Sequence, residues 1–346
     1  MEQFALIGMP DGGHRYIQSH PLLKFLPVKW AMAMIPRVKP RFTEIIYDKE
    51  NRNELGYILD VPGFFIDKDK HGESNRTQNI NNLVGLLLEK GIGVLVFPLW
   101  RNYISAEERS FIEESITILD GGLIKLVSLM DTVEKLFVIL NAKPNEIEIG
   151  VWGADNAVGR IWTRLLAPRI NYLVIGGEDK EALVELGSEV FHDTGLSCHI
   201  STDPSTCLSN KSMAILSALP KEWVDPGNTR LIILASRLAD SSPYIGENNK
   251  DVISIESGWF DLPKAMELKK SLGVWERMGI TEAMLFIRDS SYRNLFTKKA
   301  LTLENLRIMK GIIEEHGIGF SNMISNESIL SYNGFRRLYF GNFLDK

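Results

Sequence analysis

The chain has 346 residues, 45% of them hydrophobic and 24% charged, with a net charge of −5. That length suits two domains of about 100–200 residues each, and the balance suits a packed globular core rather than a disordered chain. An acidic chain without a dense Lys/Arg stripe argues against a nucleic-acid partner. Its two cysteines, Cys198 and Cys207, form neither a disulfide framework nor a CxxC metal site, and a reducing cytoplasm is the expected setting.

Residues Met1 to Gly13 carry two acids and no basic n-region, so no secretory signal is expected. No run approaches the ~18 apolar residues of a membrane helix. Phe4–Gly8 reads as a short strand ended by Pro10-Asp11-Gly12-Gly13. The proline-rich segment from His20 to Pro40 reads as a loop with one helical stretch around Trp30–Met34. Phe42–Tyr47 and Leu55–Val61 read as two strands across the charged turn Asp48-Lys49-Glu50-Asn51. Asp67–Gln78 is polar and reads as a loop.

Ile80, Leu83, Val84 and Leu87 mark a helix ended by Gly91, and Gly93–Leu99 reads as a buried strand. Arg101, Asn102 and Tyr103 follow its end, where α/β folds present ligand-binding side chains. They are candidate substrate contacts, against the plainer reading of a polar loop. Asp120-Gly121-Gly122 precede a long helix, Leu123–Leu140, closed by Asn141–Pro144.

The segment from Ile147 to Glu178 organises the rest. Ile147, Ile149 and Val151 alternate as in a half-buried strand. A turn follows: Gly153, Ala154, Asp155, Asn156, Ala157, Val158, Gly159. Then Val158, Ile161, Trp162, Leu165 and Leu166 form one apolar helical face, which Pro168 ends. Tyr172–Ile175 makes a second strand running into Gly176-Gly177-Glu178. This order is that of a dinucleotide-binding βαβ unit, with glycines where backbone approaches a pyrophosphate and an acid for the ribose hydroxyls. The middle glycine position holds Asn156, and Asp155 places a carboxylate in a loop meant for anions. The plainer alternative is a strand-turn-helix with Asp155 or Asn156 as N-cap.

Beyond Glu178 the α/β rhythm continues: a helix near Lys180–Val190, then strands at Ser197–Ser201, Met213–Ser217, Leu231–Ala235 and Val252–Ile255. Ser217-Ala218 and Glu256-Ser257-Gly258 fall at strand C-terminal ends, the ligand edge of such sheets. Helical patterns resume from Pro263 to Arg288 and from Leu303 to Glu315. Residues 321–346 show no clear pattern.

Hard-chemistry signals are sparse. His14, His20, His71, His192, His199 and His316 have no metal spacing, and no GxSxG or HExxH motif occurs. Glu107-Glu108, Glu113-Glu114 and Glu314-Glu315 read as solvated helix faces. Nothing near Cys207 suggests a lowered pKa.

Taken together, FALIG, the strand pair ending at Val61-Pro62, NINNLVGLLLEKGIGVLVF, the GG-led long helix, VWGADNAVGRIW, TEAMLF and LTLENLRIMKGIIEEHGIGF resemble the long-chain acyl-ACP reductase family and its relatives described as amino-acid dehydrogenases. The likeness spans roughly residues 4–320. It implies an N-terminal substrate domain, a Rossmann domain and C-terminal helices packing back. It also implies NADPH-dependent reduction of an acyl thioester through an acyl-enzyme on a cysteine. That cysteine lies three residues before the glutamate matched by Glu282, a position held here by Gly279, and the family's 2′-phosphate-binding base falls on Glu178.

The resulting expectation is an α/β protein with a Rossmann-like, mostly parallel, doubly wound sheet. Its divisions are an N-terminal α/β substrate domain at 1–120, a connecting helix at 121–144, a dinucleotide-binding domain at 145–262 and C-terminal helices at 263–346. The expected cofactor is NAD rather than NADP, held by Gly153, Ala154, Asp155, Asn156, Ala157, Val158, Gly159, Glu178, Ser217 and Ala218. The expected activity is hydride transfer involving a small-molecule substrate near Arg101, Asn102 and Tyr103, without a thioester. The alternative is a ligand-sensing or structural module that has lost catalysis. No residue stands out as catalytic, no metal or transmembrane segment is expected, and the chain is compatible with a homo-oligomer.

Overall fold

The computed structural model describes residues 2–8, 17, 23–35, 38–48, 52–65, 73–141, 143, 145–222, 224–236, 252–262, 266–267, 272–297, 301–326 and 328–341. The expected turns at 10–13 and 49–51, the loop residues 67–72, and His14, His20 and His71 lie outside them.

In chain order the elements are β1 (Phe4–Ile7), α1 (Val28–Met34), β2 (Arg41–Asp48), β3 (Glu54–Asp60), α2 (Glu73–Glu89), β4 (Val94–Val96), α3 (Ala106–Glu113), β5 (Thr117–Leu119) and α4 (Gly122–Ile139). Then follow β6 (Glu148–Trp152), α5 (Ala157–Leu166), β7 (Tyr172–Gly176), α6 (Lys180–Thr194), β8 (His199–Ser201), α7 (Pro204–Leu208), β9 (Met213–Leu216), β10 (Leu231–Leu234), β11 (Ile253–Ile255) and β12 (Ser257–Phe260). The last are β13 (Met266–Glu267), α8 (Val274–Arg288), α9 (Ser290–Thr297), α10 (Leu303–Glu315), β14 (Phe320–Ser325), β15 (Ser328–Leu330) and α11 (Tyr332–Phe340).

The chain is α/β and forms two compact units, one of residues 1–124 and 262–293, the other of 125–261 and 294–346. The C-terminal third is thus shared between them.

The first unit holds a mixed sheet in the order β13-β2-β3-β1-β4-β5. β3, β1, β4 and β5 run parallel, whereas β2 is antiparallel to β3 and to β13. One face packs Ile7, Leu59, Leu83, Leu95 and Phe97 into a core with α2. Two local readings change. Residues Glu73–Gln78, expected in a loop, are the first turns of α2. Met266 and Glu267, expected in a helix, pair with Asp48 and Tyr47 instead. Glu108 also does more than face solvent. It closes a capping box with Ser105 at the start of α3 and pairs with Arg76, whose Nη2 is 2.9 Å from Oε2.

The second unit holds an all-parallel sheet in the order β8-β7-β6-β9-β10-β11. β6, β7, β9 and β10 are buried almost throughout, the apolar signature of strands covered on both faces. By position in this unit the strand order is third, second, first, fourth, fifth, sixth, that of a Rossmann sheet. The order reverses between β6 and β9, which opens a crevice at their carboxyl ends. A second sheet, antiparallel β12-β14-β15, accounts for much of the tail. It also takes up Glu256–Gly258, expected at a ligand edge: Glu256 N donates to Ile324 O and Gly258 N to Ser128 Oγ.

Candidate functional site

The crevice is built by the turn after β6. Gly153 has φ +82°, and a Cβ there would stand 2.7 Å from Ser217 Oγ and from the Ala218 methyl. Only glycine serves, on both counts. Buried Ser217 fastens the turn from below, its hydroxyl 2.8 Å from the Trp152 carbonyl and 2.9 Å from that of Gly153. The N–H groups of Gly153 and Ala154 both reach Gly176 O, each at 2.8 Å, so the turn hangs from the end of β7.

Helix α5 starts on this turn. Asn156 is its N-cap: Oδ1 accepts from Gly159 N at 2.9 Å, and Nδ2 donates to Ser217 O at 3.2 Å. An asparagine in this role satisfies one of the orphan donors of the first helical turn. Gly159 lets the helix sit on the turn, because a Cβ there would fall 2.1 Å from Gly153 O and 2.6 Å from Ala154 Cα.

Asp155 points to the neighbouring strand end. Its Oδ2 accepts from Glu178 N at 2.8 Å and from Asp179 N at 3.0 Å. It is therefore a tie between two turns, neither a bare charge in an anion loop nor the N-cap, which is Asn156. Asp179 caps α6 by accepting from Glu181 N and Ala182 N. Glu178 extends into solvent and meets Lys221 Nζ at 3.0 Å, a cation that the sequence pattern did not single out.

Between these turns lies a cleft of about 280 Å3, lined in part by Trp152, Gly153, Asp155, Asn156, Glu178 and Ala218. Five of the ten candidate cofactor residues line it: Gly153, Asp155, Asn156, Glu178 and Ala218. The other five build it from behind or form the helix start, with Ala154 and Ser217 buried. Gly177, Asp179 and Leu219 complete the lining. They lie next to predicted residues but carry no sequence signal of their own.

Arg101, Asn102 and Tyr103 belong to the first unit, in the turn beyond β4. Leu99 there takes φ +55°, Arg101 lies over the Trp100 ring at 5.1 Å, and Tyr103 stacks on Phe97 at 6.1 Å. Arg101 and Asn102 are exposed.

The position of the expected nucleophile is closed to one. Gly279 lies in α8, and a Cβ on it would meet Val96 Cγ1 at 2.4 Å. Glu282, in the same helix and fully buried, instead supports the start of α4. Its carboxylate accepts from Gly121 N at 2.6 Å and Leu123 N at 3.3 Å, and Tyr292 OH lies 3.5 Å away. Burial pushes the Cys198 thiol up to about 11 and that of Cys207 up to about 12. Neither is an activated nucleophile. Among the described residues no cluster of His, Cys, Asp or Glu could hold a metal ion, and no helix is long and apolar enough to cross a membrane.

No family model matches the chain, and no curated protein matches it. Solved structures give distant likenesses. L-tryptophan dehydrogenase from Nostoc punctiforme is 10% identical over 91% of this chain and 89% of that one, with a TM-score of 0.36. Aspartate transcarbamoylase from Trypanosoma cruzi is 11% identical over 72% and 77%, at 0.30. 5-Ketofructose reductase from Gluconobacter sp. strain CHM43 is 8% identical over 91% and 99%, at 0.26. These likenesses assign neither a family nor an activity.

Proposed function

We propose that the second unit binds NAD(H) in the cleft at the carboxyl ends of β6 and β7. On this reading the protein is an oxidoreductase that moves hydride to or from a small carbonyl or acyl-derived substrate without a covalent thioester. One observation carries it. The turn at Gly153, the helix start packed on it through Gly159, and Glu178 meet where the strand order of a Rossmann sheet reverses. Doubly wound sheets take dinucleotides at that edge.

The residues fit the group. Gly153 and Ala218 leave the cleft floor without a bulky side chain. Glu178 supplies an acceptor for vicinal ribose hydroxyls. The first N–H groups of α5, on Ala157 and Val158, are the donors a pyrophosphate would use. Three carboxylates line the cleft, Asp155, Glu178 and Asp179, and this suits a free ribose hydroxyl better than a 2′-phosphate. When bound, the nicotinamide supplies the hydride chemistry. This chain's residues bind and orient it. The resemblance to acyl-ACP reductases supports the reaction class, while Gly279 and the raised pKa values of the two thiols argue against a thioester step.

A second reading, a ligand-sensing or structural module without catalysis, is favoured by the side chains of Asp155 and Asn156. Between them they hold three backbone N–H groups at the turns. Calorimetric titration with NADH, followed by NADH oxidation assays against aldehydes and ketones, separates the two. Binding with turnover supports the oxidoreductase, and binding without turnover supports the module. No NADH binding overturns the oxidoreductase reading and leaves the module without a dinucleotide.

A further inference from the structure

We propose that the segment around α1 is a docking surface for an anionic lipid bilayer. Residues 12–43 contain no Asp or Glu, although 44 acids in 346 residues would place about four there. The same stretch carries six bases, Arg15, Lys24, Lys29, Arg37, Lys39 and Arg41, and so a charge of +6 in a chain of net −5.

Within this stretch the described residues 23–35 present two faces. Leu23, Ala31 and Ile35 turn inward and form a small core with Ile17. Phe25, Val28, Trp30 and Met34 turn outward, 77%, 48%, 70% and 46% exposed. Trp30 and Met34, four apart in α1, share one helical face. Large apolar side chains on a protein surface are normally scattered singly. Here four of the 13 exposed ones among the described residues fall within ten positions. Lys24 and Lys29, adjacent to them in sequence, are exposed, with Lys24 Nζ 5.0 Å over the Phe25 ring; Lys39 is exposed as well.

The composition selects the partner. Tryptophan and phenylalanine rings settle at the headgroup level of a bilayer, and lysines beside them meet lipid phosphates. Stable attachment to a membrane surface takes two signals, such as an apolar insertion and a basic patch, and this segment supplies both. α1 has seven residues, too few to span a bilayer, so the mode is shallow and in-plane. The negative charge of the rest of the chain is repelled by an anionic surface, which orients the protein with α1 toward it.

The test is co-sedimentation of the full chain with phosphatidylcholine vesicles, with and without phosphatidylserine, at low and high salt. The protein should pellet with the phosphatidylserine vesicles at low salt and stay in solution with phosphatidylcholine alone. Phe25→Ser/Trp30→Ser should abolish pelleting with an unchanged thermal melt, since both side chains are solvent-facing. Lys24→Gln/Lys29→Gln should weaken binding roughly fivefold per lysine; this second variant decides the matter if the first misfolds. The proposal is overturned if the native chain ignores phosphatidylserine vesicles or if both variants pellet as the native chain does. It is equally overturned if light scattering shows a native dimer that Phe25→Ser/Trp30→Ser makes monomeric while neither form pellets.

Discussion

The carboxylate of Asp155 accepts the backbone N–H of Glu178 at 2.8 Å. The turn after β6 is thereby tied to the residue proposed to read a ribose. Sequence alone suggests that removing Asp155 would relieve repulsion and tighten nucleotide binding. The hydrogen bonds that Asp155 accepts lead to the opposite expectation. Asp155→Ala frees Glu178 N and Asp179 N and loosens both turns. Hydrogen bonds to charged groups contribute about 1.5–3 kcal/mol when well shielded. At this partly exposed site a total loss of about 1–3 kcal/mol is expected, with weaker NADH binding. Urea unfolding and calorimetry measure both. Unchanged stability with tighter binding would restore the simpler reading.

Gly159→Ala should damage the fold and the site together. Its Cβ would meet Gly153 O at 2.1 Å, a backbone atom held by the turn, so α5 must move away from β6. Overpacking of this kind typically costs about 1–3 kcal/mol and sometimes more, and a backbone obstacle puts this case at the upper end. A urea midpoint equal to that of the native protein would show that the helix does not sit where described.

The chain should form no acyl-enzyme. Burial raises both thiol pKa values, to about 11 at Cys198 and about 12 at Cys207. At pH 7 the thiolate fraction is then about one part in ten thousand or less, and it grows only as pH rises toward 11. Iodoacetamide labelling should be slow at neutral pH and accelerate through the alkaline range. Incubation with an activated acyl donor should leave no hydroxylamine-labile adduct by mass spectrometry. A stoichiometric adduct on either cysteine contradicts this, as does rapid alkylation at pH 7.

Glu282→Ala should be strongly destabilising although it lies far in sequence from the helix it caps. It removes the acceptor for Gly121 N and Leu123 N and leaves buried donors at the start of α4. About 3 kcal/mol is expected, with Glu282→Gln losing less because the amide oxygen still accepts. A thermal melt compares the three proteins. Equal melting temperatures would remove the capping role.

Much of the second unit was legible because its signals are local. The βαβ stretch shows its period, its stop at Pro168 and its acid after the second strand. β9 to β11 appear as short apolar runs at nearly the observed bounds. What escaped was set by distant partners. Met266 and Glu267 become a strand because Asp48 and Tyr47 lie beside them, against a helical local pattern. Asp155 acquires its role from N–H groups 23 and 24 residues onward. Lys221 reaches Glu178 from a loop with no motif. The capping box of α3 has a local signature, Ser105 followed three residues later by Glu108.

On the proposed function, the cleft takes NAD(H) and Glu178 selects it over NADP(H). A carboxylate facing a 2′-phosphate at about 4 Å, with an effective dielectric of ~20, costs about 4 kcal/mol per unit-charge pair. Glu178 is exposed and shared with Lys221, so about half or less of that survives; about 1.4 kcal/mol already gives a tenfold preference. The deciding measurement is the pair of dissociation constants for NADH and NADPH in the native protein and in Glu178→Arg. At least tenfold tighter NADH binding in the native chain, lost or inverted in the variant, is the predicted result. Equal affinities in the native chain, or a ratio that Glu178→Arg leaves unchanged, would contradict the account.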